Sequence, residues 1–166
     1  MSAATPPPTS RTDLRGLLQA LQSASGASDD GLDNVLNAEQ WDALAPYLLP
    51  LSLPAGQVLF RQGEPDRTLY LVESGTLSVH YEDEKARLRL AIVGPGSIVG
   101  EGGFFSHRPR SATVQAGAAC VLWTLTAMRF AELSNRQPAA ALQLAMVAGA
   151  VLARRMGNRR RRIAVT

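Results

Sequence analysis

Between about Leu51 and Leu125 the chain alternates short aliphatic and β-branched runs with turns built on glycine and proline. Few folds accommodate that rhythm. The runs are Val58–Phe60, Leu69–Glu73, Thr76–Tyr81, Leu88–Val93, Ser97–Val99, Ala112–Gln115 and Cys120–Thr124. They are separated by Pro54-Ala55-Gly56, Gln62-Gly63-Glu64-Pro65, Ser74-Gly75, the acidic turn Glu82-Asp83-Glu84-Lys85, and Gly94-Pro95-Gly96. Many short strands with regular turn signals predict a β-sandwich, barrel or jelly roll.

Helical spacing frames this region on both sides. Leu14, Leu17, Leu18 and Leu21 predict a helix over Thr12–Gln22, with Asp13 favouring its first turn. Ser23–Gly31 reads as a flexible loop, and a second helix covers Ala38–Tyr47, with Trp41, Leu44 and Ala45 on one side and an end near Pro46. Beyond Thr126 come a helix over Ala127–Asn135, a break at Gln137-Pro138, and a long helix from Ala139 to roughly Arg160. Residues 1–10, rich in Pro, Ser, Thr and Ala, are expected to be disordered. The expected organisation is a tail (1–10), an N-terminal helical extension (11–36), a main domain (37–153) and a basic tail (154–166), in the α+β class.

A chain of 166 residues suits one domain with a genuine core, and 46% apolar against 5% aromatic residues makes that core aliphatic. The single cysteine, Cys120, sits in the apolar run Ala118–Leu122, cannot form an internal disulfide, and is expected to be a buried thiol. The start, MSAATPPPTS, carries no secretory signal, and the apolar run Ala139–Ala153, interrupted by Gln143, is short for a transmembrane segment. A cytoplasmic, reducing location follows as the expectation. The net charge of +3 is a property of one end. Six of the seventeen basic residues are Arg154, Arg155, Arg159, Arg160, Arg161 and Arg162, and residues 1–153 carry a balance of −3.

The segment Gly94–Val114, GPGSIVGEGGFFSHRPRSATV, concentrates the chemistry. Gly100-Glu101-Gly102-Gly103 places a glutamate nine residues before Arg110, with Pro109 ahead of the arginine and Ser111-Ala112 after it. A glycine turn allows backbone N–H groups close to a ligand, and a short helix starting near Gly102 adds unpaired donors and a positive dipole end. Arg110 supplies a planar, permanently charged fork suited to phosphate. An ionised Glu101 can only accept hydrogen bonds, so it calls for a ligand that also offers hydroxyls. Phosphate plus sugar hydroxyl points to a nucleotide.

The same residues resemble the phosphate-binding cassette of the cyclic-nucleotide-binding domains found in catabolite activator proteins, protein kinase A regulatory subunits and nucleotide-gated channels. Leu53–Phe60, Gln62-Gly63-Glu64 and Leu69–Leu77 resemble the first half of that family's β-roll, and the likeness covers about Asn37 to Met156. It implies a β-roll with N-terminal helices and two C-terminal helices, and a 3′,5′-cyclic nucleotide ligand, cAMP ahead of cGMP. Glu101 then accepts from the ribose 2′-hydroxyl and Arg110 holds the cyclic phosphate. Gly100, Gly102, Gly103, Ser111 and Ala112 complete the ligand-binding set, with Ser111 beside the phosphate or base. Asn158 and Arg159 fall where lid residues approach the base. Gly102 departs from the pattern, which usually has Leu, Met or Ile there. A glycine costs about 1 kcal/mol of helix stability relative to alanine and removes an apolar side chain from the pocket wall.

Other chemistry finds little support in the sequence. The two histidines, His80 and His107, lie twenty-seven residues apart with no partner at metal-ligand spacing. His80 is expected exposed on a strand and His107 in a solvated loop. No Gly-x-Ser-x-Gly turn or nucleophile–base arrangement occurs, so neither enzyme activity nor a metal or other cofactor is expected. The helix Ala139–Met156 is apolar on most faces, which predicts one face against the roll and another against a second subunit in a parallel homodimer. No helix-turn-helix follows it, so a DNA-binding domain is not expected and the effector is taken to be a separate, unknown protein. Two alternatives stay open. One is a ligand-free scaffold for protein contacts. The other is nucleic-acid or membrane-surface binding through the arginine tail.

Overall fold

The computed structural model describes residues 12–24, 31–32, 36–82, 85–86 and 88–164. The tail 1–10, most of the loop 23–31, Asp83-Glu84 and the side chains of Arg159–Arg162 lie outside the described residues. Two of the strand runs show why the body folds as it does. In β3 (Leu69–Ser74) the residues Leu69 and Leu71 join one hydrophobic cluster while Tyr70 and Val72 join another. In β8 (Cys120–Leu125), Trp123 and Leu125 go with the first and Cys120 and Leu122 with the second. Side chains alternate across a strand, so a run apolar at every position must be covered on both faces. A sheet holding both strands therefore sits between two layers.

The strands are β1 (Leu49–Leu53), β2 (Val58–Phe60), β3, β4 (Leu77–Glu82), β5 (Leu88–Val93), β6 (Ile98–Val99), β7 (Thr113–Ala116) and β8. They form two four-stranded antiparallel sheets, β1-β8-β3-β6 and β2-β7-β4-β5. The cluster between the sheets contains Leu53, Phe60, Tyr70, Val72, Leu77, Val93, Val99, Val114 and Leu122. The other cluster sits between the β1-β8-β3-β6 sheet and the helices, where Leu71, Ile98 and Trp123 meet Leu17, Leu21, Leu44, Leu133 and Leu144. This is the α+β β-roll with flanking helices that the sequence predicts. Cys120 is buried, as expected of it.

Helix α1 (Arg15–Ala24) lays Leu17 and Leu21 on the first sheet. A Cβ on its Gly16 would stand 2.2 Å from Oε1 of Glu73, so any larger residue would displace that side chain. Helix α2 (Ala38–Leu44) is fixed by a capping box between Asn37 and Gln40, then tightens into a 3₁₀ turn, Ala45–Tyr47, that absorbs Pro46. The short α3 (Glu101–Ser106) lies between β6 and β7. Thr126 caps α4 (Ala127–Arg136), and Pro138 opens the 27-residue α5 (Pro138–Ala164), a position where its missing N–H is not needed.

Strand β1 has no counterpart among the predicted runs. Its sequence, Leu-Pro-Leu-Ser-Leu, carries Pro50 and reads as a breaker, but β1 is an edge strand, where a missing N–H can face away from the ladder. Helix α5 is longer than its apolar run. Pro138–Asn158 is long and apolar enough to cross a membrane by length and composition alone, with a mean hydropathy of 1.3. Its inner face is nonetheless committed to the protein core, where Ala140, Leu144, Val147, Ala148 and Val151 are buried.

Candidate functional site

The cassette is built around a backbone reversal. Gly100 caps α3 at φ +87°, and a Cβ there would lie 2.6 Å from both Nη1 of Arg110 and the carbonyl oxygen of Thr68. Only glycine suits both constraints. The reversal turns the chain from β6 into α3 and presents Glu101 in its first turn. Phe104 anchors that turn, buried edge-on against Phe105 and Phe130. His107, in left-handed geometry, ends the helix in an exposed position beside Nη2 of Arg67. His80 differs slightly from expectation, being half-buried in β4.

Arg110 follows on an extended segment whose backbone is tied to a neighbouring glycine turn. Its N–H donates to the Glu64 oxygen and its oxygen accepts from the Gly63 N–H, both at 2.8 Å. The side chain then passes into the roll and is only 3% exposed. There Nη1 donates to the Gly100 oxygen at 2.9 Å, and Nη2 donates to the Thr68 oxygen at 2.7 Å and to the Asp66 carboxylate. The guanidinium lies over the Phe60 ring at 4.1 Å, with Tyr70 at 5.8 Å. Burial alone would raise the Asp66 pKa, but hydrogen bonds from Arg110 and Thr68 outweigh it and hold the carboxyl below its ordinary value. Tyr70 moves the other way, raised by burial and by the Asp66 charge.

Arginine has five N–H donors, and the three bonds above leave two of them uncommitted. One of these, Nε, is fully buried and bonds to nothing among the described residues. A buried, unpaired donor on a permanent cation is costly unless something fills the gap. An anion would do so.

Glu101 is 9% exposed, and its Oε1 is held at 2.6 Å by Nη1 of Arg155 from α5. The same guanidinium donates through Nη2 to the Ile98 oxygen at 2.8 Å. A carboxylate has about four lone-pair sites, so the Arg155 contact still leaves Oε2 able to accept from a hydroxyl. The structure thus brings Gly100, Glu101, Gly103 and Arg110 together. Gly102 and Ser111 stand at the rim, where a Cβ on Gly102 would have only Ser111 Oγ nearby, at 3.9 Å. Ala112 is buried beside them as the chain enters β7.

Two residues of the site were not among the sequence candidates. Asp66 lies in a loop whose Asp-x-Thr spacing lets its carboxylate accept from both the Thr68 N–H and hydroxyl. That signal marks a local turn and nothing more. Arg155 was more legible. It continues the buried stripe Leu144, Ala148 and Val151 by one turn, and a cation on the apolar face of a helix needs a buried acceptor. Asn158, proposed as a lid contact, is half-buried one turn beyond Arg155, and the Arg159 side chain lies outside the described residues. From α5, Arg155 reaches the cassette through Glu101.

The β-roll thus gathers a glycine-turned cradle, a buried arginine and a buried carboxylate at one place. Residues 50–137 match the family model for the cyclic nucleotide-binding domain, which is more than half of the chain. This protein belongs to that family. It is 32% identical over 119 residues to the cAMP-dependent protein kinase regulatory subunit of Eremothecium gossypii, covering 72% of this chain and 25% of that protein. Among solved structures it is similar to the catabolite activator protein of Thermus thermophilus, with a TM-score of 0.69, 28% identity, and coverage of 83% of this chain and 62% of that one. A cyclic nucleotide-binding domain from Methylobacillus flagellatus shares the fold, with a TM-score of 0.76, 21% identity, and coverage of 90% and 81%. The chain spans only a quarter of the kinase subunit's length.

Proposed function

We propose that the chain is a sensor for a 3′,5′-cyclic mononucleotide, cAMP ahead of cGMP, acting on a separate effector protein in the cytoplasm. The observation that carries this reading is the buried Arg110, with two donors uncommitted, next to a glycine-lined helix start and a buried Glu101. The phosphate would take the free Arg110 donors and the N–H groups at Gly102 and Gly103, with Ser111 at the edge. Glu101 would accept from the ribose 2′-hydroxyl through Oε2. The name of the Eremothecium relative, a cAMP-dependent regulatory subunit, supports cAMP as the ligand. Nothing in the proposed mechanism makes or breaks a covalent bond, so the role is regulatory.

Helix α5 would serve as the moving part. One of its ties to the cassette is the Arg155–Glu101 pair, so a ribose bound at Glu101 would alter how firmly α5 is held. A ligand shifts such an equilibrium only by its difference in affinity for the two positions. The outer face of α5 would pair with a second copy. Leu142, Met146, Gly149, Ala153 and Met156 follow the four-three spacing of a coiled-coil seam, and Leu142 and Met146 are each 64% exposed.

Titration calorimetry with cAMP and cGMP tests the ligand. The wild type should bind, and Arg110→Ala should weaken binding on the order of a hundredfold by removing a buried charge partner. Glu101→Gln is the companion variant, because it leaves the Arg110–Asp66 contact intact. Absence of heat with either nucleotide in the wild type would favour the ligand-free scaffold.

A further inference from the structure

Three parts of the chain meet at the turn Gly96-Ser97-Ile98. From the N-terminal extension, Gly31 forms a β-bridge with Ser97, and the Leu32 N–H donates to the Gly96 oxygen at 2.9 Å. Helix α1 presses on the same turn. A Cβ on Gly96, at φ +79°, would lie 2.5 Å from Cβ of Ala24 and 2.9 Å from the Ala20 oxygen. From the other side, Arg155 of α5 donates to the Ile98 oxygen and pairs with Glu101. Its neighbour Arg154 donates to the Gly31 oxygen at 2.7 Å, a bond between residues 123 positions apart. Adjacent arginines on one helix therefore hold two different segments, one the nucleotide cassette and the other the N-terminal extension.

We propose that this arginine pair makes α5 a coupling element, so that release of the cassette from Arg155 also loosens the N-terminal segment held by Arg154. The extension is then an output surface of the site rather than a passive covering. The geometry restricts independent movement. Arg154 and Arg155 share one helical backbone, so a shift of α5 beyond the slack of both side chains would open the 2.6 Å ion pair and the 2.7 Å hydrogen bond together. The contact of α1 through Leu17 and Leu21 with the first sheet keeps the extension docked while allowing its far end to loosen. The proposal rests on the nucleotide reading only for the identity of the ligand that moves α5.

Amide exchange of the full chain, followed by NMR without any nucleotide, tests the coupling directly. The reporters are the Leu32 N–H, bonded to Gly96, and the Leu18 N–H in α1. The Val72 N–H, bonded to the Ser97 oxygen within the roll, is the control. Arg155→Ala should speed exchange at Leu32 about three- to tenfold, the change expected for one weakened hydrogen bond, with Val72 unchanged. Arg154→Ala should do the same. Wild-type rates at Leu32 in Arg155→Ala, or equal acceleration at Val72, would overturn the proposal. In a second arm, cAMP should change Leu32 exchange in the wild type and leave it unchanged in Arg154→Ala. If cAMP gives heat and cassette shifts but Leu32 does not respond, the coupling is refuted. If cAMP gives neither, the nucleotide reading fails, and the ligand-free arm still decides the coupling.

Discussion

Arg110 shows how one buried cation can fix a loop arrangement and still keep donors to spare. Its contacts to Gly100, Thr68 and Asp66 fix the cradle, and its remaining donors define what the cradle lacks. The Asp66 carboxyl is held below its ordinary value in the folded chain, so it adds stability above its unfolded pKa and loses it as pH falls through the folded value. Asp66→Asn should therefore lower the denaturant midpoint at neutral pH, with the difference from wild type shrinking below about pH 4. A gap that stayed constant to pH 2 would show the pair contributes nothing. The cassette glycines separate by the same reasoning. Gly102 has open space, so Gly102→Ala should stabilise the chain by about 1 kcal/mol through helix propensity. Gly100→Ala should do the opposite, since its Cβ would meet Arg110 and Thr68 at 2.6 Å in a left-handed conformation. Paired thermal melts of the two variants decide this, and equal shifts would contradict it. Glycine identities alone could not rank these positions, because only the fold shows which has a neighbour.

At the scale of elements, legibility followed local chemistry. Runs such as Val58–Phe60 and Leu88–Val93 became strands with the expected bounds, because turn residues on both sides left no other reading. The edge strand β1 was hidden by Pro50, whose acceptability depends on which neighbour the strand has, and that is a tertiary fact. The cassette's Glu101 and Arg110 could be read from spacing, but Asp66, the partner of Arg110, lies 44 residues from it, and Arg155 is distant in sequence from its partner Glu101. The position of Arg155 on an apolar helix face signals a need for some acceptor, but nothing local says which residue supplies it. Helix α5 carries both kinds of information. Its inner face is settled by packing, so Leu144→Ala, at a fully buried site among Leu133 and the roll, should cost about 2–5 kcal/mol. Urea unfolding measures it, and a loss under 1 kcal/mol would mean that the site collapses on itself.

For the whole molecule, two apolar faces stand exposed: Leu88, Leu90 and Ile92 on β5, and the outer face of that helix. Leu142, Met146 and Met156 are each more than half exposed, in a chain whose other helices hide most of their large aliphatics. A soluble monomer rarely leaves a contiguous apolar stripe on a long helix. A seven-residue repeat of apolar positions is the pattern that two parallel helices satisfy together, and Gly149 and Ala153 at the centre would let the backbones approach closely. Such pairing would also place both cassettes on one rigid axis, so that release of α5 in one subunit is felt by the other. Analytical ultracentrifugation should show a dimer at micromolar concentration. Leu142→Glu, which sets like charges across the seam, should convert it to a folded monomer with the cassette geometry intact. A wild type that sediments as a monomer at ten times that concentration, or a Leu142→Glu variant that remains dimeric, would remove the two-fold axis from this account.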